Sequence, residues 1–374
     1  MSRSITYGVV GGYGATGSVV VAELLKSNSG RILIGGRDLT KSQAAVAKFG
    51  SLTAAAQLDV LNAQSLDNFC GQCSTIVNCA GPVSGLHERV AEAALRARCH
   101  YVDAAGLSLV KERLLPRQRE IEELGLSFVI SAGWMPGLSE LLPAYAAAVA
   151  KTRMQTIESL TVYFADGGEW SDSALRDAAW YVHRRGLSRA GYFRRGEWTR
   201  AASAVAFRKV NLGENLAAGR FALYFTDEME EIGRRCREYD VFAYTYLSGL
   251  RTALATTLMA VLPLPERVGI RMFRNVFRRN RLPVGGFVVA QVLGHAGESR
   301  QMLTVQATFE PGQDYWIHGV MMATAVRSAS NGGARAGVHY LAEAVDPVAF
   351  VGEIAKAGVR ESERMGTTVA QVNL

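Results

Sequence analysis

Ile5-Thr6-Tyr7-Gly8-Val9-Val10-Gly11-Gly12-Tyr13-Gly14-Ala15-Thr16-Gly17-Ser18-Val19-Val20 opens as a short apolar run and breaks into glycines. It resumes with helical spacing through Val19, Val20, Leu24 and Leu25. The stretch reads as strand, tight turn, helix. Gly12, Gly14 and Gly17 give the spacing G-x-G-x-x-G. Gly12 is expected to permit the sharp turn. Gly14 removes a side chain so that a pyrophosphate can approach the backbone. Gly17 lets the helix pack closely on the strand. The free N–H groups around Ala15, Thr16 and Gly17, at the positive end of the new helix, then face the phosphates. Such a glycine pattern is weak alone. Its position after a strand and before a helix gives it weight.

The chain has 374 residues, enough for two domains, and 49% of them are hydrophobic, which supports a sizeable core and argues against global disorder. The net charge of +7 comes mostly from arginine. No zinc-finger spacing, lysine-rich tail or RNA-binding aromatic signature accompanies it, so nucleic acid is not the expected partner. A phosphorylated cofactor or a carboxylated substrate is. Met1-Ser2-Arg3-Ser4 shows no leader pattern, and no apolar run has the length of a membrane span. Five cysteines, an odd number, fit reduced thiols and predict a cytoplasmic protein. Cys70 and Cys73 match C-x-x-C, but no second pair or nearby histidine completes a metal site, and none is expected.

Arg31 to Gly35 reads as the second strand, followed by Gly36-Arg37. In dinucleotide folds this strand end meets the adenosine ribose. An acid there favours NAD, and a base favours the 2′-phosphate of NADP. Arg37 and Lys41 therefore predict NADP (NADPH), with Asp38 or Thr40 starting the next helix. Asp59 closes the third strand, where it can touch the adenine edge or cap the helix Asn62 to Cys70. Strand four, Ser74 to Cys79, stops at Ala80-Gly81-Pro82, and these small residues with Cys79 are expected to line the ligand crevice. Helix Leu86 to Ala97, strand Cys99 to Val102, helix Leu109 to Leu124 and strand Leu126 to Ile130 follow. This alternation predicts an α/β fold with an N-terminal Rossmann-type, doubly wound parallel sheet over residues 1–150.

Asn78-Cys-Ala-Gly-Pro82, His100-Tyr-Val-Asp103 and Gly133-Trp-Met-Pro-Gly-Leu138-Ser139 resemble successive signatures of the saccharopine dehydrogenase-like reductases, among them saccharopine reductase, lysine dehydrogenase and the trans-acting enoyl reductases. The resemblance covers residues 5 to 150 well and only the general layout beyond. Many relatives follow Tyr-Val-Asp with Gly-Glu, whereas this chain reads Asp103-Ala-Ala-Gly106-Leu107, so a relative's substrate does not transfer. Asp103 can position an amine or relay a proton, or can cap the next segment. Pro136 suits the first turn of a helix running to Val149. The N–H groups around Gly137 and Ser139 are candidates to hold an anionic group, and by resemblance this turn borders the nicotinamide and a substrate carboxylate. Trp134 can wall the pocket or pack in the core.

After Lys151 the pattern changes. Ile157 to Phe164, Ala204 to Lys209, Arg220 to Phe225, Gly285 to Gly294 and Gln301 to Phe309 read as strands of a mixed or antiparallel sheet. They predict an α+β domain over 151–330 for substrate and dimerisation. Residues 331–374 are expected to return to the first domain. Helix Ser171 to Arg185 carries Tyr181 and His183. The arginines Arg184, Arg185, Arg189, Arg194, Arg195 and Arg200 can form a solvated face or hold an acidic substrate or carrier protein. A basic amphipathic helix starts near Pro265, with Val268, Met272, Phe273, Val276 and Phe277 opposite Arg267, Arg271, Arg274, Arg278 and Arg281. It can touch a membrane surface, dock a partner or pack in a homodimer. His295 and His318 can donate protons or serve as structural hydrogen bonders.

The expectation is an NADPH-dependent reductase moving hydride to a C=N bond of a small, carboxylated substrate, which can be carrier-bound. Asp103, Tyr181, His183 and His318 are the candidate proton donors. An enoyl reductase of lipid or polyketide intermediates and a non-catalytic NADP sensor are the competing readings.

Overall fold

The computed structural model describes the chain apart from residues 1–5, 28–29, 169, 186–189, 214–215, 248, 250–253, 256–257, 259–261, 263–264, 278–281 and 368–374. Ile5, Arg189, Arg278 and Arg281 lie outside the described residues, as do the side chains of Arg185, Val276 and Phe277. The chain forms two compact units, Met1–Leu138 with Tyr315–Ala357, and Ser139–Asp314 with Gly358–Leu374.

In the first unit, strands β1 (Thr6–Val10), β2 (Arg31–Gly36), β3 (Thr53–Gln57), β4 (Thr75–Asn78), β5 (His100–Asp103) and β6 (Ser127–Ile130) alternate with helices. A later strand, Gly337–Tyr340, joins them at the edge next to β6. From that edge the order runs β6-β5-β4-β1-β2-β3, parallel throughout. Val9, Val10, Ile32, Ile34, Ile76, Val77, Val102 and Phe128 are buried, because helices cover both faces of a parallel sheet. The strand order reverses between β1 and β4. That reversal opens a crevice at the carboxyl ends, where ligands bind in such sheets.

The first helix, α1, spans Ala15–Lys26. Asp38 caps α2 (Leu39–Phe49) by accepting from the Lys41 N–H at 3.1 Å, and Asn62, not Asp59, caps α3 (Ala63–Cys70). Two expected helices are interrupted. The segment Leu86 to Ala97 is split into α4 (Val83–Leu86) and α5 (Arg89–Arg96), with His87 at φ 54° between them. The segment Leu109 to Leu124 breaks at Pro116, which lacks an N–H, into α6 (Leu107–Leu114), a 3₁₀ turn Leu115–Arg117 and α7 (Gln118–Glu123). Pro136 does not enter a helix. The Met135–Pro136 bond is cis and α8 (Leu138–Arg153) begins two residues later.

The second unit holds a mixed sheet. Strand β7 (Thr156–Asp166) pairs parallel with β12 (Asp240–Leu247), the remaining pairings being antiparallel: β12 with β11 (Ala218–Leu223), β11 with β10 (Phe207–Asn211), β7 with β13 (Gly286–Ala296), and β13 with β14 (Ser299–Phe309). The hairpin β8 (Gly191–Arg194) and β9 (Glu197–Arg200) attaches to β12. Residues 204–206, expected to begin a strand, belong to a short helix, α10 (Ser203–Ala206). Tyr163, Phe221, Tyr244, Phe287 and Val289 form the core on one side of this sheet.

The last 44 residues were expected to return together to the first domain; they are shared instead. Gly337–Tyr340 and the helix Pro347–Lys356 belong to the first unit, while the final strand, Arg360–Thr367, pairs with β14 in the second. The amphipathic helix spans Glu266–Phe277. Its Phe273, Ile270 and Met272 pack with Leu175 and Val182 of α9 (Asp172–Arg185), and Arg274 donates to Asp172 at 2.5 Å. Of the face offered for a partner, Met272 and Phe273 are thus covered from within, while Val268 is exposed. Among the described residues no helix is long and apolar enough to cross a membrane.

Candidate cofactor and active site

The glycine turn follows from backbone geometry. Gly11, not Gly12, takes the left-handed conformation, at φ +74°, and the Gly11 and Gly12 N–H groups donate to the Gly35 carbonyl at 2.8 and 3.3 Å. Gly12 matters for packing. A Cβ there would meet Val9 O and Ile34 Cγ2, both at 3.1 Å. At Gly17 a Cβ would lie 2.3 Å from the Gly11 carbonyl oxygen and 2.7 Å from Gly12 Cα. Helix and turn touch there, as the spacing predicts. Gly14 is the N-cap of α1, and a Cβ on it would meet only the Gly11 oxygen, at 3.1 Å. Its other side is open. Beside it Ala15 is exposed and Thr16 half-buried, and the first intrahelical bond runs from the Ser18 N–H to the Gly14 carbonyl. These opening amides and the bare Gly14 Cα suit a pyrophosphate.

Cys79-Ala80-Gly81-Pro82 lies against this turn. The Cys79 N–H donates to the Val10 carbonyl at 3.0 Å, and a Cβ on Gly11 would touch the Cys79 and Ala80 backbone at 3.4 Å. Buried Asn78 fixes the bend by accepting from the Ala80 N–H at 3.1 Å and donating to the Tyr101 hydroxyl at 3.3 Å. Burial pushes the Cys79 thiol up to about 12, so it lines the crevice as a small neutral group. Burial does the same to Cys70 and Cys73, which argues against thiolate chemistry at the C-x-x-C pair.

At the far end, Arg37 and Asp59 line one pocket with Gln57, Asn62 and Ser65. Arg37 is exposed, and among the described residues its guanidinium makes no ion pair. Asp38 is occupied by its cap and by Lys41 Nζ at 3.8 Å, so it does not neutralise Arg37. Asp59 accepts from the Leu61 N–H at 3.0 Å. Tyr13 escaped the sequence reading. Its ring lies over Gly36, and the only signal was an aromatic residue inside the glycine pattern.

Asp103 ends β5 and is 3% exposed. Its Oδ1 accepts from the Gly106 N–H at 2.6 Å and the Ser131 N–H at 2.9 Å, so it does tie the strand end down. Its Oδ2 is buried and makes no hydrogen bond of ordinary geometry among the described residues, although the Tyr101 hydroxyl lies close enough to favour the carboxylate. Burial pushes this carboxyl up to about 6, against the pull of the Ser131 and Gly106 N–H groups, the Tyr101 hydroxyl and the Ala105 N–H. His318 lies on the helix Asp314–Ser330. Its Nδ1 accepts from the Trp134 N–H at 3.3 Å, and a Cβ on Gly133 would sit 2.5 Å from that nitrogen. Burial holds the imidazole down at about 4, so the ring is neutral near pH 7, with Nε2 carrying the proton.

Other candidates fall away. Trp134 is 1% exposed and is a core residue rather than a pocket wall. The Ser139 hydroxyl is fully buried and donates to Glu140 Oε2 at 2.8 Å, while Glu140 Oε1 accepts from Thr226, so the hydroxyl is engaged, which leaves the backbone N–H groups around Gly137 and Ser139 as the anion-holding candidates. Gly137, at φ +132°, serves the turn, since a Cβ there would strike the Gly133 carbonyl at 2.0 Å. Tyr181 and His183 lie on α9 in the second unit, the first buried and the second exposed. His295 bonds Glu158 at 2.7 Å, beside Arg300, as a structural hydrogen bonder.

Residues 8–129 match the family described as saccharopine dehydrogenase NADP binding domain. Saccharopine dehydrogenase (L-Glu forming) from Saccharomyces cerevisiae has a similar structure, with TM-score 0.62 at 13% identity over 97% of this chain and 100% of that one. A probable dehydrogenase from Thermotoga maritima gives 0.52 at 10% identity, covering 96% and 98%. A myo-inositol dehydrogenase from Corynebacterium glutamicum gives 0.50 at 10% identity, covering 96% and 99%. Compared by sequence with curated proteins, the chain matches none. Residues 8–129 are thus similar to the saccharopine dehydrogenase NADP-binding domain, and the chain as a whole shares the fold of saccharopine dehydrogenase.

Proposed function

We propose that the protein is an NADPH-dependent reductase that delivers hydride to the C=N bond of a small, carboxylated substrate. The observation that carries the reading is the grouping, within one unit, of a phosphate-accepting glycine turn, a buried acid at Asp103 and a neutral imidazole at His318. The similarity to a saccharopine dehydrogenase, named for an amino-acid substrate, supports it. A bound nicotinamide supplies the hydride. The Gly14 turn holds the diphosphate and Arg37 the ribose phosphate. Asp103, raised to about 6, is protonated far more often than an ordinary carboxyl below neutral pH; there it can pass its proton to the imine nitrogen as the hydride reaches carbon, and as a carboxylate it steadies the iminium. His318 offers its Nε2–H to a substrate oxygen.

The test is NADPH oxidation, followed by absorbance, with a panel of imines formed from 2-oxo acids and amines. Turnover that Asp103→Asn abolishes without changing NADPH affinity supports the reading. Turnover confined to enoyl thioesters would favour C=C reduction instead, a reading helped by exposed Leu254, Leu258 and Leu262. NADPH binding with no turnover on either panel would mark a sensor.

A further inference from the structure

We propose that Tyr13 is a second determinant of cofactor selectivity, presenting its hydroxyl to the phosphate on the adenosine ribose beside Arg37. The inference rests on the NADPH reading above and adds a residue to it. Tyr13 stands between Gly12 and Gly14, in the turn assigned to the pyrophosphate, yet its side chain reaches the end of β2. A Cβ on Gly36 would lie 2.2 Å from Tyr13 Cε1, 2.7 Å from Cζ and 2.9 Å from the hydroxyl. The ring therefore rests directly on the bare Gly36 Cα. Its hydroxyl accepts from the Asp38 N–H at 3.3 Å. One phenol thus joins the two backbone stretches that would hold the two ends of an adenosine ribose, and it brackets Arg37 on both sides.

The hydrogen-bond inventory points the same way. A phenol offers one donor and accepts as well. The Asp38 N–H uses the acceptor side, and among the described residues no acceptor takes the Tyr13 proton. The ring is only half-buried. The Arg37 carbonyl accepts from Gln57 Nε2 at 3.4 Å, which fixes the backbone while leaving the guanidinium unengaged. A phosphate at this spot would meet a guanidinium and a hydroxyl, the charged and the neutral donor that such a group takes up well. A ribose 2′-hydroxyl would gain far less from the pair, so the phenol discriminates rather than merely binds.

The experiment titrates wild type, Tyr13→Phe and Gly36→Ala with NADPH and with NADH, following nicotinamide fluorescence, with a thermal melt of each. Tyr13→Phe keeps the ring and loses the donor. Gly36→Ala keeps the donor and pushes the ring off its seat. Both should weaken NADPH by about tenfold, the worth of one hydrogen bond to a charged group, and move NADH by less than about twofold. A ratio of affinities that stays at the wild-type value overturns the proposal, whether both cofactors are untouched or weakened alike, since equal weakening is what a purely structural ring would give. If wild type itself binds neither cofactor, or both equally, the NADPH reading fails first and the proposal with it.

Discussion

Alanine at Gly14 and alanine at Gly17 should fail in different ways, and the difference tests the cradle. At Gly17 the new methyl lands 2.3, 2.7 and 2.9 Å from backbone atoms of Gly11 and Gly12, none of which can swing aside. Overpacking of this kind costs about 1–3 kcal/mol. At roughly 2–4 °C per kcal/mol for a domain of this size, the melt should fall by roughly 2–12 °C. At Gly14 the methyl meets one carbonyl oxygen at 3.1 Å, and the backbone there is extended at φ −73°, ψ 174°, which alanine accepts. The loss is that of a poorer N-cap, at most about 1 kcal/mol. The same methyl, however, stands on the open side assigned to the diphosphate. Losing one charged hydrogen bond there costs about 1.5–3 kcal/mol, which is at least about tenfold in NADPH affinity. Calorimetry and a fluorescence titration on the two variants read both quantities. Gly14→Ala that binds NADPH like wild type would refute the placement of the diphosphate. Gly14→Ala that melts as low as Gly17→Ala would refute the packing argument.

Arg37→Asp should lower NADPH affinity by roughly tenfold to a hundredfold while NADH binding changes little; equal losses would remove the ribose phosphate from that side chain. In the second unit, Asp166 and Asp314 face each other in the interior, and burial pushes both carboxyls up, Asp166 to about 7. Because the folded state binds the proton more tightly than the unfolded one, stability should fall as pH rises from about 4 to about 7. Asp314→Asn should flatten that slope in urea melts, and an unchanged slope would count against the pair. His318 has the opposite sign. Its folded value near 4 lies below the ordinary imidazole value of 6.5, so stability should fall as pH drops between those points. His318→Asn should remove that loss, measured by melts at pH 4.5 and 7.

Much of the first unit was legible because its physics is local. Apolar runs such as Val9-Val10 and Ile32-Leu33-Ile34 form strands buried on both faces, and Asp38 and Asn62 announce the helices they cap. Gly17 declared its contact through spacing alone. The exchange of roles between Gly11 and Gly12 was hidden, since two adjacent glycines are equally able to turn. Trp134 misled as a pocket wall because a motif gives residue type but not direction, and its side chain points into the interior. Tyr13 stayed hidden because its partner, Gly36, is defined by a missing side chain. The final strand, Arg360–Thr367, reads Arg-Glu-Ser-Glu-Arg-Met-Gly-Thr. Its charges suit the rim of a sheet and erase the apolar alternation by which strands are found.

The parallel sheet of the first unit is completed from two distant stretches of the chain. Its last member, Gly337–Tyr340, lies against β6, made some two hundred residues earlier. During synthesis the nascent Ser127–Ile130 rim, all four residues buried in the finished protein, must wait uncovered while the intervening polypeptide leaves the ribosome. An uncovered apolar rim is a template for the wrong neighbour. Premature termination before residue 337 should therefore yield aggregates rather than a soluble half-protein that still holds a nucleotide.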